Sequence, residues 1–109
     1  MKLIFSPEAR REFEEAERYY ERQAPGLGGE FRASVKAALP RIRTWPLSCP
    51  VERGEIRRLT LSRFPYKLLY SVESDHLYVI AVAHQHREPG YWIARTDELG
   101  SPTGRTPPS

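Results

Sequence analysis

Cysteine is almost absent from this chain of 109 residues: Cys49 stands alone. A single thiol cannot close an internal disulfide, so a disulfide-stapled scaffold is excluded and a reducing, cytoplasmic setting is expected. Long apolar runs are missing as well. No stretch approaches the ~18 residues that a membrane span requires, so no membrane association is expected. The opening Met1–Phe5 meets Ser6-Pro7-Glu8 too soon for a secretory leader. Internal repeats are lacking, and neither sign of charge dominates, with 17 Lys/Arg against 14 Asp/Glu.

What remains is the composition of one modest soluble domain, 39% hydrophobic and 28% charged, too apolar for a disordered chain. The net charge of +3 is unevenly spread. Residues 1–55 carry 10 Lys/Arg against 9 Asp/Glu, residues 56–96 carry 6 against 3, and residues 97–109 carry 1 against 2. The excess lies on the second half of the domain, where a basic face can attract nucleic acid or an acidic protein.

The pattern predicts a first strand at Lys2–Phe5. Ser6-Pro7-Glu8 then reads as a helix start: a capping hydroxyl, proline at the first helical position and an acid near the positive helix end. Ala9, Phe13, Ala16 and Tyr20 recur at helical spacing. Ala24-Pro25-Gly26-Leu27-Gly28 ends this helix in a tight reversal. A second helix carries Phe31, Val35, Ala38 and Ile42, with Pro40 expected to kink it or end it early. Two such helices joined by a few residues predict an antiparallel hairpin. Residues 47–55 read as a connecting loop.

Three strand-like runs follow, Ile56–Leu61, Tyr66–Glu73 and Leu77–His84, and their short links make them antiparallel neighbours. Alternation puts Leu59, Leu61, Tyr66, Leu68, Tyr70, Val72, Tyr78, Ile80 and Val82 under the helices. Arg58, Thr60, Lys67, Leu69, Ala83 and Gln85 then share an open, basic face. The fold class is α+β, β-α-α-β-β-β, with a helical hairpin on one face of an antiparallel sheet. One domain is expected over residues 1–95, with a disordered tail over 96–109.

The functional groups concentrate where the last strand ends. His84, Gln85, His86, Arg87, Tyr91 and Trp92 crowd one short segment, the kind of place where a rigid sheet holds a binding loop. His84-x-His86 would share one strand face, but no third ligand stands nearby, so no metal is expected. Tyr91 and Trp92 are candidates to stack on a base or to cover a core edge.

The element order, with particular segments, resembles the RelE/ParE superfamily of toxins from bacterial type II toxin–antitoxin modules, closest to its ParE-like plasmid-stabilisation branch. Pro7-Glu8-Ala9 with Phe13 and Tyr19-Tyr20 is similar to the family's first helix. Pro25-Gly26-Leu27-Gly28 with Phe31 is similar to its hairpin turn. Ile56-Arg57-Arg58, Arg63-Phe64-Pro65-Tyr66, and Ala81-Val82-Ala83-His84 with Arg87-Glu88-Pro89-Gly90-Tyr91-Trp92 resemble its sheet.

The resemblance implies one of two activities. ParE-like members bind and poison DNA gyrase without a catalytic residue of their own. RelE-like members are ribosome-dependent endoribonucleases that cleave mRNA. Either kind is silenced by a cognate antitoxin whose C-terminal segment wraps the toxin, and operator DNA is met only through that antitoxin. No cofactor is implied. A third possibility is a non-toxic relic that keeps only its antitoxin.

Cleaving RNA through its 2′-OH needs a base, cations at the crowded phosphate and a donor at the leaving oxygen. Arg58, Lys67, Arg87 and Tyr91 fall at or near the positions of the RelE-like set, and His84 or His86 could supply an imidazole. Thr60 and Gln85 stand where those ribonucleases carry cations, and one missing stabilising donor lowers a rate by about 10²–10³-fold. Gyrase binding is therefore the first expectation and ribonuclease the second. For partner binding, whether to gyrase or antitoxin, the candidates are Arg57, Arg58, Arg63, Lys67, Gln85, His86, Arg87, Tyr91 and Trp92.

Overall fold

The computed structural model describes residues 1–98; most of the tail expected to be disordered, residues 99–109, lies outside them. The elements run β1 (Lys2–Phe5), α1 (Pro7–Gln23), α2 (Leu27–Thr44), β2 (Val51–Arg53), β3 (Ile56–Thr60), β4 (Tyr66–Val72) and β5 (His76–His84), and a 3₁₀ segment, Ile93–Glu98, closes the described chain. They form a sheet in the order β1-β5-β4-β3-β2. The first strand lies parallel to β5, and the other neighbours are antiparallel. Both helices lie on one face, as the α+β reading expects.

Local chemistry fixes the hairpin. The Ser6 hydroxyl accepts from the Ala9 N–H at 3.0 Å, with Pro7 opening α1. At the reversal, Gly26 takes φ 89°, a left-handed conformation that glycine adopts without strain. Gly26 has no side chain to cap α2, so Glu21 of α1 accepts from the Gly26 and Gly28 N–H groups, each at 3.0 Å. A carboxylate there also meets the positive end of α2. Gly28 permits the close helix approach: a Cβ at that position would stand 2.6 Å from the Glu17 carbonyl oxygen.

The helical face is closed mainly by aromatic rings. Phe31 sits among Phe13, Tyr20, Phe64 and Tyr66 at centroid distances of 5.8, 5.4, 5.3 and 5.2 Å, a range in which tilted and edge-to-face pairs are favourable. Leu59, Leu61, Leu68 and Tyr70 are buried on this face, as alternation predicts.

Four expectations need correction. Pro40 does not end α2, which runs on to Thr44; the Lys36 carbonyl it leaves without a donor belongs to an exposed turn that water can reach. The supposed loop 47–55 contains β2, an edge strand folded back on β3 across Gly54 at φ 59°. Tyr78 and Ile80 do not lie under the helices. Tyr70 pairs with Val79 and Leu69 with Ala81, so Ile80 is an extra residue in β5. Such a bulge turns the strand by one position: Leu77 and Val79 face the helices before it, and Val82 after it. Finally, the second sheet face is not fully open. Ile56, Leu69, Ile80, Ala81 and Ala83 form a second apolar cluster there, covered by Trp92, with Tyr78, Tyr91 and Ile93 against it.

Candidate partner-binding site

The strand β1 pairs with β5 only as far as Phe5 and Val79. The Ser6 N–H makes one more bond, to the Val79 carbonyl at 2.9 Å, and the chain then turns away into α1. Beyond this point β5 has a bare edge, and buried backbone groups must find other partners. Two side chains supply them. Glu12 on α1 accepts from the Val82 N–H at 2.9 Å, and Arg95 donates to the Ile80 carbonyl at 2.9 Å. Arg95 and Glu12 also pair with each other at 2.8 Å. Together they occupy the place of a missing strand.

The same carboxylate orders the C-terminal segment. The Tyr91 hydroxyl donates to Glu12 at 2.8 Å. Arg87 stacks its guanidinium 3.9 Å from the centre of the Tyr91 ring, and Arg95 lies at 5.0 Å. Burial pushes the Tyr91 hydroxyl well above its ordinary range, and the bond to Glu12 adds to this. The Arg95 guanidinium is held charged mainly by its hydrogen bond to Glu12. Tyr91 is therefore neutral, and its proton is committed to a partner.

A second carboxylate organises the other side of the cleft. Glu52, on edge strand β2, accepts from the Lys67 ammonium at 2.7 Å and meets Arg58 at 3.4 Å. Arg58 also donates to the Val51 carbonyl at 2.8 Å. A small cavity of about 80 Å³ lies between the two groups, lined by Glu52, Lys67, His84, Gln85, Arg87 and Tyr91 among others. The sheet and the segment that follows β5 thus bring Lys67, His84, Arg87 and Tyr91 to one cavity.

The other candidates are more dispersed. Arg57 donates to the Leu47 and Cys49 carbonyls and ties the α2–β2 connection to β3. Arg63 pairs with Glu30 across to α2 at 2.7 Å. Trp92 points inward and is 3% exposed. Gln85 and His86 are exposed, and the His84 Nδ1 accepts from the His86 N–H at 3.0 Å. The sequence reading missed Glu12, Glu52 and Arg95. One signal was available: Glu12 lies three residues after Ala9 and four before Ala16, so it is a carboxylate on the apolar stripe of α1.

A family model described as the ParE toxin of type II toxin–antitoxin system, parDE, matches residues 3–89. The chain belongs to the ParE toxin family. No curated protein matches the sequence. Among solved structures, the fold resembles that described as "Chromosomal ParDE TA system from P. aeruginosa", with a TM-score of 0.58 and 16% identity over 77% of this chain and 95% of that one. At that identity the likeness concerns the fold. The stretch matched to the ParE family includes Glu12, Glu52, Arg58, Lys67 and His84, while Tyr91 and Arg95 follow it. No helix among the described residues is long and apolar enough to cross a membrane.

Proposed function

We propose that this ParE-family chain acts in the cytoplasm as the toxin of its module by binding DNA gyrase, and that a cognate antitoxin neutralises it by wrapping it with a C-terminal segment. The observation that carries this reading is the internal commitment of the groups a nuclease would need. The Tyr91 hydroxyl is donated to Glu12 and the Lys67 ammonium to Glu52. A general acid must be free to give its proton to the leaving oxygen, and a phosphate clamp must be free to meet the phosphate. Here both are held by carboxylates of the same chain. Binding needs no such freedom, because a surface is recognised as it stands.

One observation favours the second reading, a ribosome-dependent ribonuclease. Lys67, His84, Arg87 and Tyr91 converge on one small cavity. For that reading an RNA phosphate would have to displace Glu52 from Lys67.

Pulse-labelling of DNA and protein synthesis after induction of the chain without antitoxin separates the readings. Gyrase poisoning predicts an early fall in DNA synthesis while protein synthesis continues. An early fall in protein synthesis instead would overturn it in favour of mRNA cleavage. No change in either, with soluble protein present, would leave a chain that only binds its antitoxin. Relaxed-plasmid supercoiling by purified gyrase, with and without the toxin, then checks the target directly.

A further inference from the structure

The two tryptophans of the chain are placed in opposite ways. Trp92 is 3% exposed and covers the second sheet face, whereas Trp45 is 64% exposed. Among the described residues no ring, cation or hydrogen-bond partner engages the Trp45 side chain. The backbone that carries it is nevertheless fixed. The Trp45 N–H bonds the Arg41 carbonyl at 2.9 Å, at the end of α2. The Ser48 N–H and hydroxyl then close a turn on the Trp45 carbonyl, at 3.0 and 2.8 Å. The Tyr70 hydroxyl donates to the Pro46 carbonyl, and Arg57 donates to the Leu47 and Cys49 carbonyls. Arg57 and Tyr70 are cross-strand partners, so they pin the turn to the helix-side face of the sheet. Leu47 is 67% exposed, and Val51, the β2 partner of Arg57, is 47% exposed. An exposed indole on so well-held a turn is pre-organised for contact, because the ordering cost falls on folding rather than on binding.

Charge gives the sign of the partner. In α1 four arginines are interleaved with six glutamates, but residues 31–51 hold four Lys/Arg and no Asp or Glu at all. Arg41 stands one helical turn before Trp45, Arg43 lies between them in the chain, and Arg53 follows on β2. All three are exposed, and among the described residues their side chains make no ion pair or hydrogen bond. The negative end of α2 favours Arg41 and Arg43, but it accounts neither for Arg53 nor for the lack of acids along the whole run. An acidic protein would meet these cations and leave the indole without a flat partner. A single strand of nucleic acid meets both, with phosphates for the guanidinium groups and a base for the ring.

We propose that the Trp45–Ser48 turn is a stacking platform for single-stranded nucleic acid, with a base on Trp45 and the backbone phosphates along Arg41, Arg43 and Arg53. The platform lies on the helix-side face of the sheet, whereas Lys67 and Arg58 lie on the other face. It is therefore separate from the cleft at Glu52 and stands whether or not gyrase is the target.

The test uses oligothymidylate and oligouridylate of about 12 nucleotides with the full chain at about 50 mM salt. Both are expected to quench the emission of Trp45, while the buried Trp92 serves as an internal reference. Affinity is followed separately, by the anisotropy of a labelled oligonucleotide. Trp45→Ala is expected to weaken binding by about tenfold or more. Trp45→Phe, which keeps a stacking ring, is expected to stay within about threefold of wild type and to lose the quenching. Arg43→Gln should reduce the slope of log affinity against log salt by about 0.7, the contribution of one phosphate on a single strand. Circular dichroism shows that each variant folds. Similar affinities for the two probes would place recognition in bases and phosphates. A preference of about tenfold for oligouridylate would assign the platform to RNA through its 2′-OH, and the reverse preference to DNA. Absence of quenching would overturn the proposal. So would unchanged affinity in Trp45→Ala, which would place the strand in the Lys67 cleft instead. A blue shift of Trp45 emission with phosphatidylserine-containing vesicles, and none of these effects with oligonucleotides, would reassign the patch to a lipid surface.

Discussion

Glu12 and Glu52 are both carboxylates that hold two cationic or phenolic groups around one small cleft, yet they do different work. Glu12 is 13% exposed and accepts from a backbone N–H, a tyrosine and a guanidinium at once. Glu52 is 18% exposed and accepts from side chains only, at the sheet's outer edge. The first fills a gap in the backbone ladder. The second neutralises Lys67 and Arg58, whose ends reach solvent at 26% and 38% exposure. A carboxylate that satisfies the backbone is a structural part, whereas one that masks cations at a surface can be traded for a partner's.

Removing each in turn should separate these roles. Glu12→Ala leaves the Val82 N–H and Arg95 without their acceptor. Breaking a buried ion pair from one side costs about 3–5 kcal/mol, and the residual exposure here lowers the expectation to about 2–3 kcal/mol. Urea denaturation should show this loss, with weakened near-ultraviolet dichroism from Tyr91 and Trp92. A loss below about 0.5 kcal/mol would mean that water substitutes freely and that Glu12 is no structural cap.

Tyr91→Phe is a gentler cut into the same group. It removes one hydrogen bond, worth about 1 kcal/mol, and keeps the ring under Arg87. Its pH signature is sharper than its size. Burial raises the Tyr91 hydroxyl above its ordinary value, and Tyr70 is raised likewise, by burial first and by its contact with Cys49 second. Above about pH 10 an unfolded tyrosine releases its proton while the folded one retains it. The native state then binds more protons, so stability falls as pH rises. Below that pH the stabilisation is fully present. Thermal melts from pH 8 to 11 should show a steeper alkaline decline in wild type than in Tyr91→Phe. Equal slopes would place the buried titration elsewhere.

These contrasts also explain what could be read before the structure. Strand β1, the Ser6-Pro7 helix start, the glycine reversal and the β3–β5 hairpins follow from local chemistry and from alternation, and they came out as expected. The bulge at Ile80 did not, because nothing in Leu77–His84 marks it. It lies where β1 leaves the edge of β5, just past the pairing of Phe5 with Val79, a position that no pattern within β5 encodes. Strand β2 reads as loop in the sequence because Pro50 and Gly54 bracket it, and pairing with β3 overrides that preference. The cluster at His84–Tyr91 was visible as a concentration of functional groups. Its internal acceptors were not, because a lone Glu among helix charges looks like any solvated acid until the fold brings Tyr91 and Arg95 to it.

Glu52→Ala is the matching cut on the other side. Ion pairs at the sheet's outer edge whose cations keep part of their hydration contribute little, so the expected loss is below about 1 kcal/mol. The functional change should be larger than the stability change. Lys67 and Arg58 lose their internal partner, and the formal net charge rises from +3 to +4. Association with a single-stranded RNA oligonucleotide should tighten and become more salt-dependent. If the ribonuclease reading were correct, Glu52→Ala should also raise RNA cleavage in the presence of ribosomes. Unchanged RNA affinity would show that Glu52 does not mask these cations.

The smallest effect is expected at Arg63→Ala. Its pair with Glu30 is short, at 2.7 Å, but both side chains are largely in water, and such pairs contribute roughly 0–1 kcal/mol. Its guanidinium also lies 5.4 Å from the Phe64 ring centre, a contact of modest worth at an exposed site. Phe64 itself is buried against Phe31 and Tyr20, so the ring does not depend on Arg63 for cover. Stability should change by less than about 0.5 kcal/mol, at low and at high salt alike. A loss above about 1.5 kcal/mol would mean that the arginine stem seals the aromatic cluster rather than lying over it. In that case Arg63 would belong with Glu12, among the groups that hold the fold, and not with Glu52.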